Sequence, residues 1–142
     1  MTDSNAPLLP DWYRAVDATG LPTTLGIEMV ELTKSRVVAT MPVDERTRQP
    51  FGILHGGASV ALAETVASFG AVMLIDRERF VAVGQEINAN HLRPKLAGVV
   101  TATGLPVHVG RNSQVWSIEI RDEEAKLVCI SRCTMAVVEK RA

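Results

Sequence analysis

The sequence predicts an α+β protein of two layers, in which one long helix packs against five or six antiparallel strands. Two observations lead to this prediction. Residues 57–75 are mostly apolar and contain no proline, which is typical of a helix inside a protein. The segments around this helix are rich in β-branched residues and are separated by turn formers, which is typical of strands.

The first part of the chain is predicted to contain a short helix. Residues 11–18 follow Pro10, which can open a helix, and end before Gly20, which can close one. This helix belongs to a predicted N-terminal segment of residues 1–20. With 142 residues, the chain has the length of one domain, and residues 1–142 are predicted to form one.

Six segments are predicted as strands from their apolar and β-branched content and from the turn residues between them. They are residues 25–32, 36–43, 80–91, 97–109, 113–121 and 126–138. The first two are expected to form a hairpin, and the last three a continuous antiparallel meander. A loop over residues 44–55 leads from the hairpin into the long helix.

Composition and charge exclude several kinds of partner. The chain has 15 basic and 16 acidic residues without a block of like charge, so it carries no basic surface for nucleic acid or an anionic membrane. A small, roughly neutral partner is expected instead. The first residues lack the basic and apolar regions of a secretory signal, so the protein is expected in the cytoplasm.

A membrane span is the alternative for residues 57–75, because their length nearly suffices to cross a bilayer. Glu64 and Ser68 near the middle of the segment argue against it. Cys129 and Cys133 fall on one face of a predicted strand, about 13 Å apart, beyond the reach of a disulfide. They are expected to be reduced core residues. The three histidines are widely separated, so neither a metal site nor a cofactor is predicted.

The loop and the start of the long helix carry a specific pattern. The segments concerned are Gln49-Pro50-Phe51-Gly52, His55-Gly56-Gly57, Glu64, residues 86–94 and residues 108–111. Together they resemble the active-site signature of the hotdog-fold acyl-CoA thioesterases. The similar branch includes phenylacetate-pathway thioesterases, the 4-hydroxybenzoyl-CoA thioesterase that uses a helix glutamate, and 1,4-dihydroxy-2-naphthoyl-CoA hydrolase. The resemblance, over about residues 20–139, implies a hotdog fold and a homodimer with shared active sites, often a homotetramer.

The resemblance also implies roles for individual residues. Glu64 matches the catalytic carboxylate, and Gly56 matches the backbone donor to the thioester oxygen. Gln49 and His55 match the polar pair that orients the thioester carbonyl. Ser68 matches a helix hydroxyl that holds the attacking water.

A second group of residues matches the family's CoA channel. Asn90, His91 and Arg93 correspond to positions that line this channel, and Arg111 is expected to meet a phosphate of CoA. The acyl group is left open, because the expected apolar lining suits aryl and aliphatic chains alike. This lining is Val60, Phe69, Val72 and Met73.

The chemistry of thioester hydrolysis suits these residue types. Backbone N–H groups at a helix start can stabilise the developing oxyanion, and Gly56 lets a substrate approach closely. Glu64 can act as a general base or as a nucleophile, and the sequence leaves both open. Ser68 lies one turn further on the same helix face.

The spacing of Gly56 and Glu64 bears on the quaternary structure. Eight residues in one helix separate them by about 12 Å, yet both must act on one carbonyl group. A two-fold dimer with antiparallel helices would bring Gly56 of one subunit to Glu64 of the other. The sequence therefore predicts active sites that are shared between two subunits.

Each assignment has a structural alternative. Glu64 could cap another helix or pair with Arg93, and His55 could serve merely as the N-cap of the long helix. Gln49 could be a turn residue, and Ser68 could serve helix packing. The residues before Pro94, namely Asn90, His91 and Arg93, could simply end a strand and start a turn. At the level of function, a non-catalytic acyl-CoA binding module is the alternative to the hydrolase. Dehydration of a hydroxyacyl thioester is a second enzymatic alternative.

Overall fold

The computed structural model describes residues 8–141; residues 1–7 of the expected N-terminal segment and Ala142 lie outside the described part. The helices are α1 (Asp11–Arg14), α2 (Leu21–Thr24) and α3 (Gly56–Val72). The strands are β1 (Glu28–Leu32), β2 (Val37–Val43), β3 (Phe80–His91), β4 (Gly98–Val109), β5 (Ser113–Arg121) and β6 (Leu127–Glu139). One long helix against six strands confirms the predicted fold class.

The six strands form one sheet in the order β1-β2-β4-β5-β6-β3, and all neighbours are antiparallel. The predicted hairpin (β1 and β2) and the predicted meander (β4 to β6) are therefore both confirmed. After α3, the chain enters β3 at the far edge of the sheet, where, among the described strands, β3 pairs with β6 alone. The helix α3 packs across the sheet and contacts five of its strands, β2 to β6.

The predicted helix bounds need correction. The first helix ends at Arg14 instead of residue 18, and a second short helix, α2, was not predicted. Gly20 precedes α2 with a φ of 82°, which turns the chain, and Pro22 occupies the first turn, where a missing N–H costs nothing. The long helix begins at Gly56 and ends at Val72, three residues before the predicted end.

The core lies between α3 and the inner face of the sheet. Small residues on α3 let the strands approach closely: a Cβ on Gly70 would lie 2.5 Å from the ring of Trp116, which is fully buried. Cys129 and Cys133 are both free and buried, as predicted. In the part of the chain that is described, no helix is long and apolar enough to cross a membrane.

Candidate active site

The loop before α3 is fixed on two sides, which positions the start of the helix. Thr47 is buried, and its hydroxyl donates to the carbonyl of Pro42 at 2.7 Å. The Thr47 carbonyl accepts from the His55 amide at 2.8 Å. On the other side, the Leu54 amide donates to the Lys95 carbonyl at 2.7 Å. The loop therefore holds His55 and the residues after it in one place.

His55 is the N-cap of α3, which is the structural role considered for it as an alternative to a role in catalysis. Its Nδ1 accepts a hydrogen bond from the Gly57 amide at 2.8 Å. A neutral imidazole that accepts at Nδ1 carries its proton on Nε2. Because the ring is exposed, this Nε2–H remains free to act as a hydrogen-bond donor, so capping does not exclude a second role toward a ligand.

Gly56 provides an open amide at the positive end of the helix. Among residues 8–141, the Gly56 N–H has no hydrogen-bond acceptor. A Cβ at this position would lie only 2.7 Å from Nε2 of His91 on β3. A side chain here would thus crowd His91 and cover the amide, whereas glycine leaves the amide accessible to a carbonyl oxygen.

A pocket of about 360 Å³ lies in front of this amide. It brings together four of the predicted site residues, namely Gln49, Gly56, His91 and Arg93. The Gln49 side-chain oxygen accepts from the Phe51 amide, so this side chain also stabilises its own turn. Ser59, which is 1% exposed, lines the same pocket. The sequence reasoning missed Ser59, although its position one turn after Gly56 could have indicated it.

Glu64 and Ser68 line a different groove, of about 290 Å³, on α3. Phe69, one of the residues expected to line the acyl pocket, borders the same groove. Within residues 8–141, the Glu64 carboxylate forms no salt bridge and no hydrogen bond to a side chain. The alternative pairing with Arg93 is therefore not observed, and the carboxylate is available to a ligand in the groove.

Aromatic residues of the N-terminal segment pack on Phe69, which borders the groove of Glu64. Phe69 stacks on Trp12 at a centroid distance of 6.4 Å and meets Tyr13 edge to face at 5.1 Å. The guanidinium of Arg77 lies 4.5 Å from the centre of the Trp12 ring. The remaining residues expected to line an acyl pocket, Val60, Val72 and Met73, are partly buried on or after α3.

The structure separates Asn90 from the other residues expected in a CoA channel. His91 pairs with the fully buried Cys129 and faces α3, whereas Asn90 pairs with Ile130 and faces the outer side of the sheet. Asn90 lines a surface depression there, together with Asn88. Since neighbouring residues in a strand point to opposite faces, the sequence motif alone could have indicated this separation.

Arg111 lies at the other end of the sheet. It is in the turn between β4 and β5. Ser113, two residues later, is level with Ala136 of β6 and, through it, with Val83 of β3. His91 is eight residues further along β3, roughly 25 Å away at the rise of a strand. Within one chain, Arg111 therefore does not share a pocket with Arg93. No cluster of three or more potential metal ligands occurs in the described range.

Comparison with known proteins gives a consistent result. Residues 51–129 match the family model described as Thioesterase superfamily. The chain is 54% identical over 122 residues to the 1,4-dihydroxy-2-naphthoyl-CoA hydrolase of Listeria monocytogenes, covering 86% of this chain and 98% of that protein.

Two solved structures show the same likeness. The crystal structure of thioesterase HI1161 from Haemophilus influenzae has 52% identity and a TM-score of 0.79, covering 83% of this chain and 82% of that one. The structure of a mutant of thioesterase PA1618 from Pseudomonas aeruginosa has 40% identity and a TM-score of 0.88, covering 97% of this chain and 98% of that one.

Proposed function

Since the chain belongs to the thioesterase superfamily, we propose that it hydrolyses acyl-CoA to free acid and CoA at a site built from Gly56 and Glu64. The protein is an enzyme of the thioester hydrolase class, as relatives that share about half of its residues are named hydrolases or thioesterases. This finding favours catalysis over the non-catalytic binding module. The roles of individual residues and the acyl group form the proposal that follows.

The observation that supports this proposal best is the state of the Glu64 carboxylate. It lies on a helix among apolar neighbours, has no ion pair within residues 8–141, and borders a groove. A carboxylate without an internal partner is suited to deliver a water molecule to a carbonyl carbon, or to attack that carbon itself. Ser68 borders the same groove one turn further along α3, where its hydroxyl can hold the attacking water.

The oxyanion that forms on the thioester oxygen is proposed to be stabilised at the start of α3. The free Gly56 amide and the positive end of a 17-residue helix favour negative charge at that point. Gln49 and the Nε2–H of His55 are further donors that can orient the carbonyl. When the tetrahedral intermediate collapses, the carbon–sulfur bond breaks and CoA leaves as a thiolate, which requires no strong general acid.

The two halves of this machinery require a second subunit. Gly56 and Glu64 belong to separate pockets of one chain and lie about 12 Å apart along the helix. We propose a homodimer in which the Gly56 pocket of one subunit faces the Glu64 groove of the other. The edge strand β3 supports this proposal, because it is 12 residues long and exposes Val81 and Val83. An exposed edge strand presents unpaired N–H and C=O groups with which another chain can pair.

CoA is proposed to enter along the Gly56 pocket. His91 and Arg93 border that pocket, and both can bind the phosphates or the ribose in the CoA part of the substrate. Asn90 and Arg111 remain proposals that depend on the partner subunit, because they lie elsewhere within one chain. The acyl group is proposed to lie along the Phe69 side of the Glu64 groove.

The test is the release of free CoA from a panel of aryl and alkyl thioesters that includes 1,4-dihydroxy-2-naphthoyl-CoA. Replacing Glu64 with Ala is expected to lower kcat by about a hundredfold or more, because the base or nucleophile is lost. Glu124→Ala is the matched control, since Glu124 is an exposed carboxylate in the turn before β6. It is expected to keep wild-type kinetics.

Two results would contradict the proposal. Equal rates of thiol release from the wild type and from Glu64→Ala would remove Glu64 from the mechanism. An unsaturated acyl-CoA product without release of thiol would indicate dehydration instead of hydrolysis.

A further inference from the structure

Gly84 lies in β3 at a break in the regular pairing of the strand. Gly84 is level with Met135 of β6, but Glu86 is level with Thr134, so Gln85 is an extra residue in a β-bulge. Met135 is fully buried, which places Gly84 on the inner face of the sheet, toward α3. Bulges of this kind often redirect side chains next to functional sites.

The backbone does not explain why this residue is a glycine. The glycines with a positive φ are Gly20, Gly26, Gly52 and Gly98, and Gly84 is not among them. Other residues can therefore adopt its backbone conformation. A glycine inside a strand also weakens the strand, because it has no side chain to pack and loses more entropy on folding. The reason for a glycine here must lie in its surroundings.

The surroundings contain the carboxylate of Glu64. A Cβ on Gly84 would overlap Oε1 of Glu64 and would lie 3.2 Å from its Cδ and 3.7 Å from its Cγ. All three of the nearest atoms belong to this one side chain. The carboxylate thus occupies the space in which any other residue at position 84 would place its own side chain.

We propose that Gly84 is a positioning residue for the catalytic carboxylate. The space above Gly84 forms a slot that holds the Glu64 carboxylate against β3. This inference rests on the proposed function, in which Glu64 acts on the thioester. Gly84 itself does not border the pocket of Gly56, His91 and Arg93, so it affects the position of Glu64 and not the binding of CoA.

The expected effect of Gly84→Ala follows from this separation. The methyl group displaces the carboxylate, and a displacement of about 1 Å at a catalytic group can lower turnover about a hundredfold. We expect kcat to fall by about this factor, whereas KM stays within about threefold of the wild type, because the CoA contacts are unchanged.

The decisive experiment is a double-mutant cycle of Gly84→Ala and Glu64→Ala, with kcat and thermal unfolding as separate measurements. Glu64→Ala removes all three atoms that the new methyl group would meet. In that background, Gly84→Ala is expected to leave the residual rate unchanged. The unfolding temperature is expected to rise more in the Glu64→Ala background, where the methyl group meets none of these atoms, than in the wild-type background, where the end of the Glu64 side chain must move.

Gly104→Ala is the matched control. Gly104 lies on the inner face of β4, which β5 and β6 separate from β3, and a Cβ there would be 2.5 Å from Cγ1 of Val66, a residue of α3 two positions after Glu64. This substitution is expected to lower the unfolding temperature and to leave kcat within about threefold of the wild type. A comparable loss of kcat in Gly104→Ala would show that any disturbance of α3 suffices, and would overturn the proposal.

Each of the other possible results supports or overturns the positioning role of Gly84. Wild-type kcat in Gly84→Ala, or an equal loss in the presence and absence of the Glu64 side chain, would overturn the positioning role. If Gly84→Ala fails to fold but the double variant folds, the contact with Glu64 is supported; if neither folds, it is overturned. Should Glu64→Ala itself keep full activity, the proposed function fails, while the unfolding temperatures still report on the slot.

Discussion

The thiol of Cys133 is affected by the charge of Glu64, the proposed catalytic carboxylate. Burial, together with the negative charges of Glu64 and Glu86, raises the pKa of its thiol from the ordinary value of 9.0 to about 11. Burial also raises the pKa of the Cys129 thiol. Both side chains are therefore neutral thiols at physiological pH and poor nucleophiles.

We expect neither cysteine to react with a thiol-specific reagent at pH 8 while the protein is folded. In denaturant both free cysteines should react, whereas in the native state fewer than about 0.2 thiols per chain should do so in the same time. Ile130→Cys is the control, because Ile130 is 38% exposed on the outer face of β6. It should add one thiol that reacts at once.

The raised pKa of the Cys133 thiol predicts that the stability of the fold decreases at alkaline pH. Because the pKa of Cys133 is raised in the folded state, its contribution to stability is complete below pH 9.0 and is lost as the pH rises through about 11. Rapid labelling of the native wild type at pH 8 would contradict this account of the site.

At the scale of residues, the sequence alone indicates a functional residue where its type is uncommon for the surrounding segment. Glu64 in an apolar helix and the glycine pair after His55 were visible in this way. Gly84 and Ser59 were not, because a glycine in a strand and a serine in a helix are common. Their roles depend on which residue lies opposite, and that information requires the pairing of β3 with β6 and its packing on α3.

At the scale of elements, Gln114 of β5 joins the sheet to the end of α3. It is fully buried, accepts from Nε1–H of Trp116 at 2.9 Å and donates to the carbonyl of Ala71 at 3.3 Å. The last carbonyls of a helix lack partners within the helix. Gln114 therefore gives the Ala71 carbonyl a second donor beside the Leu74 amide, which donates to it at 3.1 Å, and accepts from the indole N–H at the same time.

We expect Gln114→Leu to destabilise the fold by about 1–3 kcal/mol, because the buried Trp116 indole N–H loses its acceptor. The Ala71 carbonyl keeps its hydrogen bond from the Leu74 amide. Chemical denaturation measures this change. Glu124→Leu is the control at an exposed position in the turn before β6, and it should change stability by no more than about 0.5 kcal/mol. Equal stability of both variants would show that water replaces the lost hydrogen bonds.

Strands were predicted more accurately than short helices. The bounds of the last four strands agree with the prediction within one residue, because apolar runs and turn residues alternate clearly there. The short helices α1 and α2 have four residues each, too few for a periodic pattern. Their position depends on contacts with α3, such as that of Tyr13 with Phe69.

At the scale of the whole molecule, the proposed shared site predicts complementation between inactive subunits. Glu64→Ala and Gln49→Ala impair opposite halves of a site, so a mixed dimer contains one intact site and one site with both changes. Random mixing of equal amounts gives mixed dimers in half of the population, and activity should recover to about a quarter of the wild type. Steady-state thiol release of co-refolded chains measures this recovery.

Gln49→Ala is preferable to His55→Ala in this experiment, since His55 also caps α3. Mixtures that show only the averaged activity of the two parents would place each site within one subunit. A monomer in solution with full activity would do the same.

The strand β3 contacts both ends of the proposed machinery. Gly84 lies against Glu64, and His91, seven residues later, lies against Gly56. Successive residues of a strand point to opposite faces of the sheet, so inserting or deleting one residue between Gly84 and His91 would turn one of them to the outer face. With Gly84 still facing α3, His91 would then point away from the helix. Evolution can therefore exchange side chains along this segment more freely than it can change its length, and length variation among related enzymes is expected in the turns.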